Sequence, residues 1–220
     1  MDWRAKMSAI SQKILSDIFI PPIVPDRTKS VRLQFEFDDE ANLSVNEFWD
    51  FCSQNDKLQM ELTNENEITV TFPRGFAFGE KSMEILMQFG TWEKTYRTGK
   101  VFNHLIGYAL PNGLIFSPTF SWIKKERFEN LREEQKEKLV HLCPDFALEL
   151  CPESDSIKIL QAKMEEYIEN GARLGWLIDP KNKQVHVFRA NGEIEILDNP
   201  QTVSGEDVLE NFELDLTEIG

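Results

Sequence analysis

The sequence has few residues that bind transition metals or form disulfides: three cysteines and three histidines among 220 residues. Cys52, Cys143 and Cys151 are widely spaced and form no CxxC pair, so they indicate neither a zinc knuckle nor a disulfide framework. We therefore expect reduced thiols and a cytoplasmic protein. The histidines lack the H-E-x-x-H spacing of a zinc site, and we predict core or surface roles for them.

Long apolar runs and basic residues are also lacking. No run approaches the roughly 20 apolar residues that span a membrane, and charges interrupt the N-terminus, unlike a secretory signal. The 24 Lys and Arg residues against 38 Asp and Glu residues give a net charge of -14. This charge argues against a broadly basic nucleic-acid surface. DNA binding then requires a local basic patch, or divalent cations that bridge acids to phosphate.

Apolar residues make up 41% of the chain and include 16 Phe and 5 Trp, which is typical of a folded globular protein. The length predicts one domain with an N-terminal extension. Residues 1–20 predict an amphipathic helix that Pro21-Pro22 ends. We expect this helix to dock on the domain or on a second subunit, because its polar face has few cations for a membrane surface.

The following residues alternate between strand and helix patterns. Residues 31–37 predict a half-buried strand, and a capping box of Ser44 and Glu47 predicts a helix that begins near residue 44. The other predicted elements are a hairpin of 58–62 and 68–72, a helix over 80–97, strands over 101–109 and 114–122, a charged helix-prone loop over 124–139, a strand–helix–strand unit over 146–178, a hairpin of 184–189 and 193–197, and a loose acidic C-terminal segment.

A single carboxylate stands on an otherwise apolar strand, Phe146 to Cys151. Because strand side chains alternate, Ala147, Glu149 and Cys151 share one face. Burying a lone carboxylate is unfavourable unless it is paired, which suggests a metal or an ion pair. Lys163 on the following amphipathic helix lies toward the buried side of that helix. Glu149 and Lys163 are therefore placed to face each other.

The segment from Cys143 to Pro180, together with ALPNGLIFSPTFSW and VSGEDVLENFELDL, resembles the Uma2 family, also called domain of unknown function 820. That family belongs to the PD-(D/E)xK superfamily of metal-dependent nucleases. The resemblance divides the chain into an N-terminal helix and strand extension, residues 1–42, and a Uma2-like nuclease domain, residues 43–220. It implies a restriction-endonuclease-like α/β fold, a mixed sheet flanked by helices in three layers, and a homodimer.

The resemblance also implies a metal site. In this superfamily a divalent cation, Mg²⁺ or Mn²⁺, activates water and neutralises charge on phosphate, and carboxylates hold it. Carried over by position, Glu149 matches the acid of the E-x-K strand and Glu61 matches an upstream acid, so both are implied metal ligands. Thr119 stands where the Asp of a Ser-Pro-Asp strand is expected. Cys151 stands where a lysine follows the acid, and Lys163 is the implied substitute.

Two residues near Glu149 have simpler interpretations. Asp145 follows a proline and so imitates a PD motif, but it begins the strand of Glu149 and is not the first-strand acid. We predict that it is a partner of the turn. Cys151 is more typical of a small buried residue than of a nucleophile, because no histidine is near it in sequence and a thiolate needs positive surroundings.

Two functions remain open. The first is a Uma2-like, Mg-dependent DNA endonuclease whose partly degraded site uses Glu61, Glu149, Lys163 and Thr119. The second is a catalytically inactive relative that binds DNA or a protein partner, such as another copy of the same family. A buried ion pair of Glu149 and Lys163 without any ligand would be compatible with the second.

Overall fold

A computed structural model describes residues 31–34 (backbone only), 44–56, 58–63, 67–71, 74–153 and 155–219. The predicted helix over residues 1–20 and the end of the predicted strand over residues 31–37 lie outside the described residues. So does the predicted domain boundary at residues 42 and 43, which stays a prediction. The chain divides into two compact units, residues 1–73 with 113–115, and residues 74–112 with 116–220.

The first unit contains a capped helix, α1 (Val45–Gln54). The Ser44 hydroxyl accepts a hydrogen bond from Glu47 N at 3.3 Å, and the Glu47 carboxylate accepts one from Ser44 N at 2.9 Å. These reciprocal bonds satisfy two amides that the first helical turn leaves without partners. The predicted capping box is confirmed.

The strands of the first unit form an antiparallel sheet in the order β1-β3-β2, and Leu62 also pairs with Ile115. These strands are β1 (Val31–Gln34), β2 (Gln59–Leu62) and β3 (Glu67–Thr71). The predicted hairpin over residues 58–72 is therefore confirmed.

The second unit is built on a six-stranded mixed sheet in the order β12-β11-β10-β9-β7-β4. Its strands are β4 (Gly99–Asn103), β7 (Phe120–Lys124), β9 (Phe146–Leu150), β10 (Leu174–Asp179), β11 (Gln184–Arg189) and β12 (Ile194–Asp198). The β9–β10 pair is parallel and the other pairs are antiparallel. Outside this mixed sheet, β5 (Tyr108–Ala109) and β8 (Val140–His141) form a short parallel pair.

Helices cover both faces of this sheet. The described helices of the second unit are α2 (Phe76–Tyr96), α3 (Lys125–Glu129), α4 (Glu133–Lys136) and α5 (Ile157–Glu169). The ring centroids of Phe89 on α2 and Trp176 on β10 lie 6.3 Å apart. Met164 of α5 packs against Gly175 so closely that a Cβ at Gly175 would collide with the Met164 side chain. Because Gly175 and Trp176 point to opposite faces, the three-layer prediction is confirmed.

Helix α5 connects the parallel strands β9 and β10, as a parallel pair requires. The strand–helix–strand prediction over residues 146–178 is therefore confirmed. One face of these strands supplies the main core, and the members from β9 are Phe146, Leu148 and Leu150. The alternation expected around Glu149 is observed.

The predicted helix over residues 80–97 begins earlier, at Phe76. The predicted strands over residues 101–109 and 114–122 are each divided by a turn. After β4, the Asn103 side chain accepts from Leu105 N at 3.2 Å, an Asx turn that redirects the chain before β5. The second strand is divided into β6 (Ile115–Phe116) and β7. Pro118 lies between them and cannot donate to a ladder.

The C-terminal segment is not loose, which corrects the prediction. Residues 199–219, here called the closing segment, contain an antiparallel pair, β13 (Thr202–Ser204) and β14 (Glu213–Asp215). Apolar residues between its acids reach the core: Val203, Val208, Leu209, Phe212, Leu214, Leu216 and Ile219. The acids between them are mostly exposed. Among the described helices, none is both long and apolar enough to cross a membrane.

Candidate functional site

The pairing of β7 with β9 brings Thr119 beside Glu149. Phe120 is opposite Leu148 in the antiparallel register, so the adjoining residues, Thr119 and Glu149, meet on the opposite face. Thr119 Oγ1 donates to Glu149 Oε2 at 3.0 Å and accepts from Leu150 N at 3.2 Å. The threonine hydroxyl is therefore engaged both as a donor and as an acceptor.

Lys163 reaches the same carboxylate from α5. Its Nζ lies 2.8 Å from Glu149 Oε1, and the two side chains are 12% and 7% exposed. The ammonium also lies 3.4 Å from the Ser117 carbonyl oxygen and 5.3 Å from the centroid of the Phe116 ring. The expected meeting of Glu149 and Lys163 is observed as a buried ion pair. The catalytic roles assigned to these residues stay predictions.

A second polar contact joins α5 to this face of the sheet. His186 on β11 is paired with Leu177, which is paired with Glu149 on β9. His186 Nδ1 lies 3.2 Å from Gln161 Nε2. The contact joins the His186 imidazole to the Gln161 amide. Burial lowers the pKa of His186, which favours the neutral ring.

Cys151 lies just beyond Glu149 and does not supply the charge of a lysine. It is buried, and burial raises the pKa of its thiol to about 12, with the nearby carboxylates of Asp179 and Asp155 adding to the effect. The thiol is neutral at pH 7 and is a poor nucleophile. The prediction of a small buried residue is confirmed.

Asp145 is a structural acid. Its carboxylate accepts from Lys124 N at 2.9 Å and lies 2.7 Å from Arg127 Nη1. These contacts hold the end of β7 and α3 against the start of β9. Asp145 precedes the Glu149 strand directly, as predicted, and its role as a partner of the turn stays a prediction. Glu61 lies on β2 in the first unit and is 8% exposed. Its assignment to the site of Glu149 stays a prediction.

The residues around Glu149 do not fit a Mg²⁺ ion. Mg²⁺ takes near-octahedral oxygen ligands, usually with one or two carboxylates. In the contacts described above, Glu149 supplies one carboxylate, and Lys163 and Thr119 lie against its two oxygens. Within the described ranges, no group of three or more His, Cys, Asp or Glu residues is arranged to hold a metal ion.

The fold is of the mixed α/β class, with an acid on a core strand and a lysine on the crossover helix. A sequence model of the Uma2 family, described as "Putative restriction endonuclease", matches residues 45–217. The chain belongs to the Uma2 family. The predicted family and fold class are therefore confirmed.

One solved structure supports the fold. It is a crystal structure described as "a putative nuclease belonging to DUF820" from Anabaena variabilis ATCC 29413, and it matches with a TM-score of 0.61 and 20% identity. The match covers 72% of this chain and 88% of that chain. At this identity the likeness shows the fold alone. A search of curated proteins found no match.

Proposed function

We propose that this Uma2-family protein is a catalytically inactive member of a nuclease family, which acts by binding a partner. In this proposal the chain keeps the fold of a metal-dependent nuclease but has Thr119 where the second metal-binding carboxylate is expected. The observation that supports this proposal is that Glu149 is already paired: Lys163 lies 2.8 Å from one carboxylate oxygen and Thr119 donates a hydrogen bond to the other.

Electrostatics gives the reason for inactivity. A divalent cation at equal distances from Glu149 and Lys163 would gain no net Coulomb energy from the pair, because their charges are opposite. A carboxylate introduced by Thr119→Asp would add an attraction on the order of 8 kcal/mol at about 4 Å and an effective dielectric constant of about 20. The Thr119 hydroxyl carries no charge, and it already donates its hydrogen bond to Glu149.

The charge of the chain favours a protein partner over DNA. The net charge of -14 repels a phosphate backbone, since DNA affinity depends on Lys and Arg contacts. Lys163 is buried and neutralised by Glu149, so it does not offer a free cation to phosphate. A cytoplasmic location, inferred from the reduced thiols, belongs to the same proposal.

The second candidate is the Mg-dependent DNA endonuclease that the family description suggests. One observation favours it: Glu61 is a buried carboxylate on β2 and is a candidate second ligand. In this candidate Glu61 and Glu149 hold Mg²⁺ or Mn²⁺, and Lys163 and Thr119 complete the site. The metal would activate water and neutralise charge on phosphate.

Plasmid cleavage in the presence of Mn²⁺ separates the two candidates. The variants are Thr119→Asp, its uncharged match Thr119→Asn, and Glu149→Ala. The proposal expects no cleavage by the wild type or by Thr119→Asn, and cleavage by Thr119→Asp. Cleavage by the wild type that Glu149→Ala abolishes would overturn the proposal in favour of the endonuclease.

Calorimetric titration with Mn²⁺ provides a readout that does not depend on the DNA substrate. We expect Thr119→Asp to bind Mn²⁺ at least about tenfold more tightly than the wild type or Thr119→Asn, because one carboxylate is added. Equal Mn²⁺ affinity in all three proteins would contradict the assignment of position 119 as the missing ligand.

A further inference from the structure

One edge of the mixed sheet is exposed. Strand β12 stands at the end of the strand order, and among the described residues no further strand pairs with it. Its residues are exposed except for Leu197, which is half-buried. At the opposite edge, α3 packs against β4, where the ring centroids of Phe128 and Phe102 lie 5.7 Å apart. An edge without such cover is a template for pairing with another chain.

The pairing of β12 with β11 determines which of its main-chain groups point outward. Arg189 N donates to Glu193 O at 3.0 Å, and Asn199 N donates to Lys183 O at 2.7 Å. In an antiparallel ladder such hydrogen-bonded pairs recur at every second residue. The β12 residues that turn their N–H and C=O groups away from β11 are therefore Ile194, Ile196 and Asp198. Each offers one donor and one acceptor to an added strand.

On one face of this edge, two isoleucines expose apolar surface. Ile194 and Ile196 are 47% and 54% exposed. They share the α5 face of the sheet with His186, which is paired with Ile196 and contacts Gln161 on α5. Helix α5 therefore covers β11 on this face but leaves both isoleucine side chains half in solvent. Apolar side chains at alternate positions of an added strand would bury them.

On the other face, carboxylates outnumber cations. Arg189 contacts three of them: Glu193 at 3.5 Å, Glu195 at 2.6 Å and Glu206 at 2.7 Å. Asp198 adds an exposed acid at the end of the strand, and Lys183 lies across the ladder from Asn199. Two cations against four carboxylates leave this edge acidic, so a basic partner is favoured.

We propose that β12 binds an extended segment of another protein, in which apolar residues alternate with lysine or arginine. With antiparallel pairing, the more stable kind per residue, the apolar residues lie beside Ile194 and Ile196. The basic residues then lie beside Glu193 and Glu195, because alternate residues of a strand point to opposite faces. Main-chain bonds supply the affinity and the alternating side chains supply the specificity.

The acids of β12 disfavour pairing with a second copy of the same strand. Two β12 strands side by side would bring Glu193, Glu195 and Asp198 of both copies into one contact, and like charges at close range repel. Charged side chains prevent self-pairing of natural edge strands in this way. The inference rests on the proposed function for its biological role, and it adds the chemical class of the protein partner.

Titration of the isotope-labelled full chain with a short peptide of alternating valine and lysine, followed by NMR, tests the proposal. We expect amide shifts concentrated on β12 and a Kd between about 10 μM and about 1 mM, as for a small interface. The same residues in block order, with all lysines before all valines, should bind at least about tenfold more weakly. Equal affinity of the two peptides would overturn the proposal, because charge alone would then explain the binding.

N-methylation of the peptide tests the main-chain bonds. Opposed residues of a hydrogen-bonded antiparallel pair exchange both bonds, so the amide of the valine opposite Ile196 faces β12 and the lysine amides face away. Methylating the valine amides should raise the Kd at least about tenfold, and methylating the lysine amides should change it less than about twofold. Equal effects or the reverse order would overturn the proposal.

Variants of the chain test the same edge. Ile196→Pro removes an outward N–H without loss of a ladder bond and should raise the Kd at least about tenfold, whereas Ile196→Val keeps the N–H and should change it less than about threefold. Glu195→Gln should raise the Kd about threefold; Glu80→Gln, the same change at an exposed position on α2, should leave it unchanged. Equal effects within either pair would overturn the proposal, and circular dichroism confirms that each variant is folded.

Sedimentation velocity distinguishes the other occupant of this edge. Self-association of the wild type that Ile196→Pro abolishes would assign β12 to a second copy of the chain and overturn the proposal. The plasmid-cleavage test depends on Thr119 and Glu149, not on β12. Failure of peptide binding would therefore be distinguishable from failure of the proposed function.

Discussion

Lys163 Nζ lies 2.8 Å from Glu149 Oε1, and both side chains are almost entirely buried. The pair joins α5 to β9 at the centre of the mixed sheet. Removing two charges from water is unfavourable, and close contact offsets that penalty only while both partners remain. Glu149 and Lys163 therefore contribute to stability as a unit.

The first prediction concerns this unit. Lys163→Met should lower the free energy of unfolding by about 3–5 kcal/mol, because it removes a counter-charge of a buried carboxylate. The double variant Glu149→Gln with Lys163→Met should recover much of that loss. Urea denaturation measures both values. Lys158→Met, at an exposed position on the same helix, is the control, and an equal loss there would contradict the buried-pair interpretation.

The second prediction concerns pH. Burial lowers the pKa of His186 below its usual 6.5, so between these two pKa values the unfolded state binds more protons than the folded state. The free energy of unfolding therefore decreases as pH falls below about 6.5. His186→Gln should reduce this pH dependence in urea denaturation at several pH values. Exposed His141→Gln is the control, and an equal effect there would refute the assignment.

The third prediction tests the closing segment. The Phe212 ring lies 4.4 Å from the Phe89 ring and 5.2 Å from the Trp92 ring. Phe212→Ala should lower the free energy of unfolding by about 3–5 kcal/mol, because it leaves a cavity among aromatic rings. Ile196→Ala, at an exposed position on β12, should change it little. Equal chemical denaturation curves for the two variants would show that the closing segment is not part of the core.

The fourth prediction compares two glycines in the sheet. A Cβ at Gly99 would collide with the Ile123 carbonyl oxygen, whereas a Cβ at Gly175 would collide with the flexible end of Met164. Gly99→Ala should therefore be the more destabilising change, by about 1–3 kcal/mol of overpacking strain. Thermal denaturation gives the order of the two variants, and the reverse order would contradict it.

The strand–helix–strand unit could be predicted because its signals are local. The alternation from Phe146 to Leu150 and the helical stripe of α5 each depend on neighbours within a few residues. Those two patterns were enough to orient Glu149 toward Lys163. The resemblance to the Uma2 family then identified Thr119 as a departure from the family pattern.

The remaining contacts depend on register between distant strands. Nothing local indicates that His186 lies two strands from Glu149 and contacts Gln161, because this follows from the pairing of β9, β10 and β11. The closing segment escaped prediction for another reason. Its strands are three residues long, and the alternation of Phe212, Leu214 and Leu216 with acids is too short to separate a packed strand from an acidic loop.

The contact between Phe212 and Phe89 also has a consequence for biosynthesis. Domains generally fold from the N-terminus as they leave the ribosome. Here α2 packs against Phe212, which is translated more than half a chain later. Until the closing segment emerges, the parts of Phe89 and Trp92 that pack against Phe212 remain uncovered on the nascent polypeptide. Chaperone binding during translation is therefore expected to concentrate on that interval.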